Sequence, residues 1–586
     1  LRAAGRREKD RARGNSQTRA WSAFFVVAFA LLAGRLFQVQ VLEHAHYAKQ
    51  ARDSHTRTRV ISPLRGNIYD REGRPLAITL SLHSVGADPS LVEDSRRAAP
   101  ELAPLLRVPA AELEASLRRP GRFVRLLRRA DDKLAQRISA LNLKGIIVED
   151  DPGRVYPAGP LAAQTIGFVG EDNQGLGGLE AALDKTLGGK PGLERVEVDG
   201  RNPRSRRVIP GRRRVLRPMV PGKSVRLTLD LEIQQIAERE LAKAVEQFGA
   251  AGGAAVVMDP GSGEILALAS APGFDPNRYQ SFSPESWVNP AVVKAYEPGS
   301  TFKLVMACAA VETGEMANGE TIYCQGEKQI GNRLVHCVLH GGSRAHGKLT
   351  LAGIVRQSCN IGAATVSLRL GVAKMHHYAS LLGFGKRTGL ELQGESGGQL
   401  APAGNWREIR LANFGFGQGV SVTPLQLLTA YTTIASGGLR PRPHLVKGDK
   451  PVPASAAGGP RRVLRASTAR AIREMLEAVV EKGTGKQAQI PGYRVAGKTG
   501  TAQKAEPGVG YGCGKSVGSF VGFVPADRPR LACVVVIDEP KGSSYGGVVA
   551  APAFREICRQ SLSYLGVAPS APAGQLVVAS QPEHQD

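Results

Sequence analysis

The stretch Glu297-Pro298-Gly299-Ser300-Thr301-Phe302-Lys303 runs directly into an apolar-periodic segment, Phe302, Leu304, Val305, Ala307 and Cys308. Pro298 and Gly299 interrupt the chain just before that segment, so Ser300 falls at a helix N-terminus. Positions i and i+3 share a helix face, which brings the Lys303 amine within reach of the Ser300 hydroxyl. A serine hydroxyl becomes nucleophilic when a neighbouring base takes its proton, and a partly buried lysine can be that base. The first-turn N–H groups favour negative charge developing nearby. Taken alone, a Ser-x-x-Lys spacing arises by chance about once or twice in a chain of this length, and an ordinary capped helix with an exposed lysine competes with the catalytic reading.

Working outward, two further short patterns follow in order: Ser358-Cys359-Asn360, and Lys498-Thr499-Gly500-Thr501 after Tyr493-Arg-Val-Ala-Gly497. The last reads as a strand whose glycines leave the backbone open to a ligand. Its lysine and threonines suit a carboxylate, and its edge suits a peptide paired through main-chain hydrogen bonds. Around these patterns, Asp230 is a good N-cap for a helix carrying Ile233, Ile236, Ala237, Leu241, Ala244 and Val245 on one stripe. A hairpin is expected from Ala254 to Met258 and Ile265 to Ala269, with strands at Ser519 to Val524 and Leu531 to Ile537 and a closing helix from about Pro552 to Leu565. Strands at both ends with helices between them imply an α+β domain over 225–566, an antiparallel sheet with helices on both faces. Residues 567–586 read as a disordered tail.

The 586 residues exceed what one ordinary core supports, and 42% hydrophobic with 22% charged residues excludes both a mostly disordered chain and a polytopic membrane protein. The net charge of +25 points to nucleic acid, an anionic membrane surface or a polyanionic substrate. Half of it is local: residues 1–20 carry a net +5, and residues 201–217 hold eight arginines and no acid. The first cluster precedes Ala20 to Gly34, which holds no charged side chain, with Leu36, Phe37, Val39 and Val41 beyond Arg35. A bilayer core takes roughly 20 helical residues. The expectation is therefore a basic cytoplasmic tail (1–19), an uncleaved transmembrane anchor (20–41) and an exported remainder. Residues 42–224 mix short β-rich runs (Arg57 to Ile61, Ser84 to Ala87, Gly145 to Glu149) with a helix near Ala110 to Leu117, and read as an elongated non-catalytic pedestal. The arginine run lies near its end, where a solvated linker competes with a contact surface for anionic lipid, a lipid-linked pyrophosphate or a partner. Cys324 and Cys337 flank a Gly331-Asn332 turn signal and either face each other as a disulfide or stay thiols. A zinc reading with Cys324, Cys337, His340 and His346 lacks paired-ligand spacing, so no metal and no cofactor is expected.

The ordered set Ser-x-x-Lys, Ser-x-Asn, Lys-Thr-Gly resembles the penicillin-binding proteins and serine β-lactamases. The resemblance extends to Arg65-Gly-Asn-Ile-Tyr-Asp70-Arg-Glu-Gly73-Arg-Pro-Leu-Ala77, Gly167-Phe-Val-Gly170 and Gly178-Leu-Glu180, which are similar to pedestal signatures of class B penicillin-binding proteins. Phe414-Gly-Phe-Gly-Gln-Gly419, Thr423-Pro-Leu-Gln426 and Tyr545-Gly-Gly-Val-Val-Ala-Ala-Pro552 are similar to landmarks of their transpeptidase domain.

The resemblance implies a membrane-anchored peptidoglycan D,D-transpeptidase that cross-links stem peptides and is a penicillin target. Ser300 would form the acyl-enzyme and Lys303 would deprotonate it. Ser358, supported by Lys498, would relay a proton to the leaving amine, while Asn360 would hold the donor peptide or the lysines. Thr499, Gly500 and Thr501 would bind the donor, its terminal carboxylate on the two threonines. The implied partners are D-Ala-D-Ala stem peptides, β-lactams, a SEDS-type (FtsW-like) glycan polymerase, other division membrane proteins and the bacterial inner membrane, with no nucleic acid. The residues after the third motif and the run Arg530 to Pro540 are similar to the division (FtsI-like) group, whereas the cysteine pair and the Ser-Cys-Asn form also resemble elongation enzymes. A D,D-carboxypeptidase, a β-lactamase and a non-enzymatic β-lactam sensor are the remaining alternatives.

Overall fold

In the computed structural model, which describes residues 2–121, 123–198, 208–337, 345–448, 459–504 and 510–570, the chain divides into two compact units that do not follow sequence order. One gathers Leu1–Leu64, Ser81–Asp151 and Lys190–Pro221; the other gathers Arg65–Leu80, Pro152–Gly189 and Gly222–Asp586. The expected tail thus falls largely outside the described residues.

The first unit begins with a helix, Arg2–Phe37, that continues through one π turn, Gln38–Leu42. Its apolar part, Arg19–Leu42, is 24 residues long, about 36 Å at the helical rise, and Trp21, Phe24, Phe29 and Leu31 are exposed. A helix apolar all round, with none of the described residues burying it, suits hydrocarbon. Further on, Thr56–Ile61 and Val208–Arg217 flank Gly192–Val198 in an antiparallel sheet. The arginine run is therefore not a linker over its described part: Arg213 pairs with Val196 and Arg214 with Arg195 on an edge strand. Residues 201–207 lie outside the described residues. A second sheet sets His83–Ala87 between Val124–Ala130 and Ile146–Asp150. Its small core joins Val85 and Ala87 to Leu102, Leu113 and Ile138 of helices Ser95–Leu106, Ala110–Leu117 and Asp132–Ala140.

The second unit absorbs two segments read from the sequence as pedestal. The reason is non-local pairing: Val225–Arg226 lies parallel to Ile68–Tyr69, and buried ions lock the segments together. Glu180 accepts from Arg65 Nε at 2.5 Å and from Arg154 Nε at 2.7 Å, all three side chains fully buried, while Arg65 Nη1 also reaches Asp184 at 2.6 Å. The Arg65 and Gly178-Leu-Glu180 signatures thus meet at one ion network.

Five antiparallel strands form the main sheet, in the order Ile265–Ala271, Gly252–Met258, Leu531–Asp538, Ser516–Val524, Ala496–Gln503. Alternation sorts its side chains. Ala255, Val257, Cys533, Val535 and Ile537 pack with Ile233, Leu241, Phe554 and Ile557, which lie on helices Leu231–Gln247 and Ala551–Tyr564. Ala254, Val256, Val534 and Val536 join the larger core that includes Met306, Leu427 and Tyr431. Asp230 caps the first helix as expected, accepting from the N–H groups of Glu232 and Ile233. The Thr423-Pro-Leu-Gln426 landmark is a capping box opening the buried helix Pro424–Ala435.

Candidate active site

Ser300 sits in a single tight turn, Gly299–Phe302, that feeds the helix Lys303–Thr313. Two glycines make that turn possible. Gly299 has φ +54°, and a Cβ there would stand 2.7 Å from the Thr501 carbonyl oxygen. Gly417, at φ +86°, presses against the same turn, where a Cβ would come within 2.1 Å of the Gly299 oxygen. The Gly299 N–H in turn donates to the Gly417 oxygen at 3.2 Å. The glycine-rich 414–419 motif is thus the floor of the serine turn, and Phe414 packs edge-on to Phe302 at 4.9 Å.

Lys303 is fully buried and donates to Ser300 Oγ at 2.7 Å, to Asn360 Oδ1 at 2.8 Å and to Ser358 Oγ at 3.3 Å. Burial pushes its amine down to about 8, against an opposing influence of the Cys359 and Cys337 thiols. Lys498, equally buried, reaches Ser358 Oγ from the other side at 3.0 Å. Its amine is held well below the usual lysine range, by burial first and then by the charge of Lys303. Two amines and two hydroxyls therefore form one chain, Ser300 to Lys303 to Ser358 to Lys498. Ser358 holds its place with a left-handed backbone, φ +58°, a conformation that disfavours a side chain and marks a constrained residue. Asn360 opens the helix Asn360–Leu381, with Cys359 as its N-cap.

Lys498, Thr499, Gly500 and Thr501 lie on Ala496–Gln503, the edge strand of the main sheet. Thr499 Oγ1 is 2.9 Å from Thr484 Oγ1, and Thr501 Oγ1 accepts from the Gly546 N–H at 3.2 Å. A groove of about 680 Å³ runs along this strand past Ser300, Ser358, Asn360, Thr499, Thr501 and Tyr545. All eight residues proposed from the sequence thus come together. Sequence reasoning missed Thr484 and Glu297, whose carboxylate accepts from the Gly419 N–H at 2.8 Å and the Tyr511 hydroxyl at 3.0 Å. Glu297 stood in the quoted stretch, but its partners lie more than a hundred residues away and left no local signal.

The Cys324–Cys337 disulfide is not formed; both thiols are free. The Gly331-Asn332 turn exists and joins Glu327–Ile330 to Arg333–His336, but the cysteines fall outside those paired strands, Cys324 pairing instead with Gly347. His340 lies outside the described residues.

Comparison with known proteins agrees with this arrangement. The family described as "Penicillin binding protein transpeptidase domain" matches residues 253–559, and the "Penicillin-binding Protein dimerisation domain" matches residues 60–227. Stage V sporulation protein D of Bacillus subtilis is 37% identical over 558 residues, covering 93% of this chain and 85% of its own length. Peptidoglycan D,D-transpeptidase FtsI of Escherichia coli is 34% identical over 555 residues, covering 93% and 91%. Among solved structures, penicillin-binding protein 3 of Mycobacterium tuberculosis in complex with aztreonam aligns with TM-score 0.66 at 30% identity, covering 88% of this chain and 99% of that one.

Proposed function

The chain belongs to the class B penicillin-binding proteins, serine-type D-Ala-D-Ala peptidoglycan transpeptidases, and we propose that Ser300 is the residue acylated and that the two buried lysines run its proton traffic. Neutral Lys303 accepts the Ser300 proton as Oγ attacks the carbonyl of the penultimate D-alanine. Backbone N–H groups of Ser300 and Thr501 receive the oxyanion. The tetrahedral intermediate collapses as Ser358, backed by Lys498, passes a proton to the departing D-alanine amine. Thr499 and Thr501 hold the terminal carboxylate, Gly500 admits the donor backbone, and Asn360 fixes Lys303. An amine of a neighbouring stem peptide then attacks the acyl-enzyme and releases Ser300. The carrying observation is the 2.7 Å contact between Ser300 and a fully buried amine lowered to about 8. A depressed lysine is a competent base near neutral pH. Ser300→Ala should abolish labelling by a fluorescent penicillin, and persistent labelling would overturn the assignment.

The protein is membrane-anchored with an extracytoplasmic catalytic domain. Within that frame we assign the span Arg19–Leu42 an N-in orientation in the inner membrane, from the basic residues ahead of it. We further assign the enzyme to septal wall synthesis, working with a FtsW-like polymerase, because relatives such as FtsI and stage V sporulation protein D carry division and sporulation names. Filaments on depletion would support this role, and rounded cells would move the enzyme to elongation.

A further inference from the structure

Beside Ser358 and Asn360, with His346 also lining the serine groove, lies a second cluster that the reaction does not use. Cys324, Cys337, His346 and Cys359 each offer one ligand atom, and these atoms all lie within 4.8 Å of one another. The three cysteines are buried, and His346 presents its Nδ1 inward, 3.6 Å from Cys324 Sγ and 3.4 Å from Cys337 Sγ. Cys337 Sγ stands 3.6 Å from Cys359 Sγ.

We propose that these four residues are the ligands of one structural zinc ion that ties the hairpin of Glu327–Ile330 and Arg333–His336 to the Ser358-Cys359-Asn360 turn. Three observations carry it. The first is size. Zinc takes sulfur at about 2.3 Å and imidazole nitrogen at about 2.0–2.1 Å in a tetrahedron, which sets ligand-to-ligand edges of about 3.8 Å for two sulfurs and about 3.5 Å for sulfur and nitrogen. The Cys324–His346, Cys337–His346 and Cys337–Cys359 edges, at 3.6, 3.4 and 3.6 Å, match those lengths and are far beyond a disulfide bond. The second is polar satisfaction. Neutral thiols would put three S–H protons around a single nitrogen lone pair, whereas zinc replaces the thiol protons with one cation. Backbone N–H groups already point at the sulfurs as they do at thiolate ligands, Asn360 to Cys337 at 3.2 Å and Gly362 to Cys359 at 3.2 Å. The third is need. The hairpin buries little more than Ile330 and Val335, and so small a module calls for a staple.

The placement gives the ion a task. Cys359 stands between Ser358 and Asn360, and Asn360 also takes its N–H bond to Cys337. Zinc would hold Ser358 in its left-handed conformation and Asn360 against Lys303. The metal itself does not depend on the transpeptidase reading; its effect on acylation does.

The test uses the full-length chain purified in detergent without chelator. Elemental analysis should find about one zinc per chain, falling below about 0.2 in Cys324→Ser and in His346→Ala while the control Cys513→Ser retains it. Stripping the wild-type protein with a chelator should lower its melting temperature and slow penicillin acylation by about tenfold, both restored by zinc chloride. Ser300→Ala should lose the label and keep the zinc, which separates failure of this proposal from failure of the catalytic one. A wild-type chain with alkylatable thiols that binds no zinc even when zinc chloride is added would overturn it. So would peptide mapping that finds Cys337 linked to Cys359.

Discussion

Two sets of cations are fully buried in the same compact unit, and they are treated in opposite ways. Arg65 and Arg154 are clamped on Glu180, with Arg65 also on Asp184, so each guanidinium meets a carboxylate at hydrogen-bond distance. Lys303 and Lys498 meet hydroxyls, an amide oxygen and each other's field. Paired burial keeps a charge and spends it on holding segments together; unpaired burial drives the proton off and leaves a base. The first set is architecture and the second is chemistry, although the sequence shows only basic residues in both.

This contrast can be broken most sharply at Lys303. Replacing it with methionine, similar in length and apolar, should cut the rate of acylation by a fluorescent penicillin by about a thousandfold, with no loss of melting temperature. A large loss of stability would mean that Lys303 is structural after all. Glu180→Ala should do the reverse. It leaves Arg154 buried with no carboxylate and Arg65 with Asp184 alone, for which about 3–5 kcal/mol of destabilisation is expected in denaturant titrations, while the protein that remains folded acylates normally. The pH profile comes next in size. With the Lys303 amine lowered to about 8, the neutral fraction falls about tenfold for each pH unit below that value, so acylation should rise with pH and level off above it. For stability the sign follows from protons bound. Between about 8 and the ordinary lysine value of 10.5, the unfolded chain binds more protons at this site than the folded one, so this residue makes stability increase with pH through that window. The smallest effect is expected where burial is only partial, at Lys504, which bridges Asp538 at 2.9 Å and Glu539 at 2.7 Å. Lys504→Ala should shift stability by no more than about 1 kcal/mol, and a larger change would show that solvent exposure is not what separates the two kinds of pairing.

What could be read from the sequence was what is local. The Asp230 cap, the strands near Ala254 and Leu531, and the three motifs each announce themselves within a few residues, because capping and alternation are short-range. What escaped depends on distant partners. The Arg65 to Ala77 signature lies in the dimerisation domain, as read, but nothing local announces that Ile68 pairs with Val225. The thiol cluster was half visible: Cys324 and Cys337 suggested a hairpin, but Cys359 was already claimed by the Ser-x-Asn pattern, and no ribbon spacing links it to the others. The strand Val208–Arg217 shows no alternation in its sequence; it lies at a sheet edge, where Arg213, Arg214 and Arg217 are exposed. Lys303 could be placed beside Ser300 by helical spacing alone. Its depressed amine could not, because burial belongs to the whole fold.

The main sheet stops at Ala496–Gln503, and among the described residues no strand pairs with its outer side. Such an edge does not discriminate by composition, because its hydrogen bonds are made by backbone that every extended chain possesses. The slot beside Ser300 is therefore a queue of one: a donor peptide, an antibiotic or a stray strand from another molecule each excludes the others. Throughput would then depend as much on how quickly the slot is vacated as on how quickly the serine reacts.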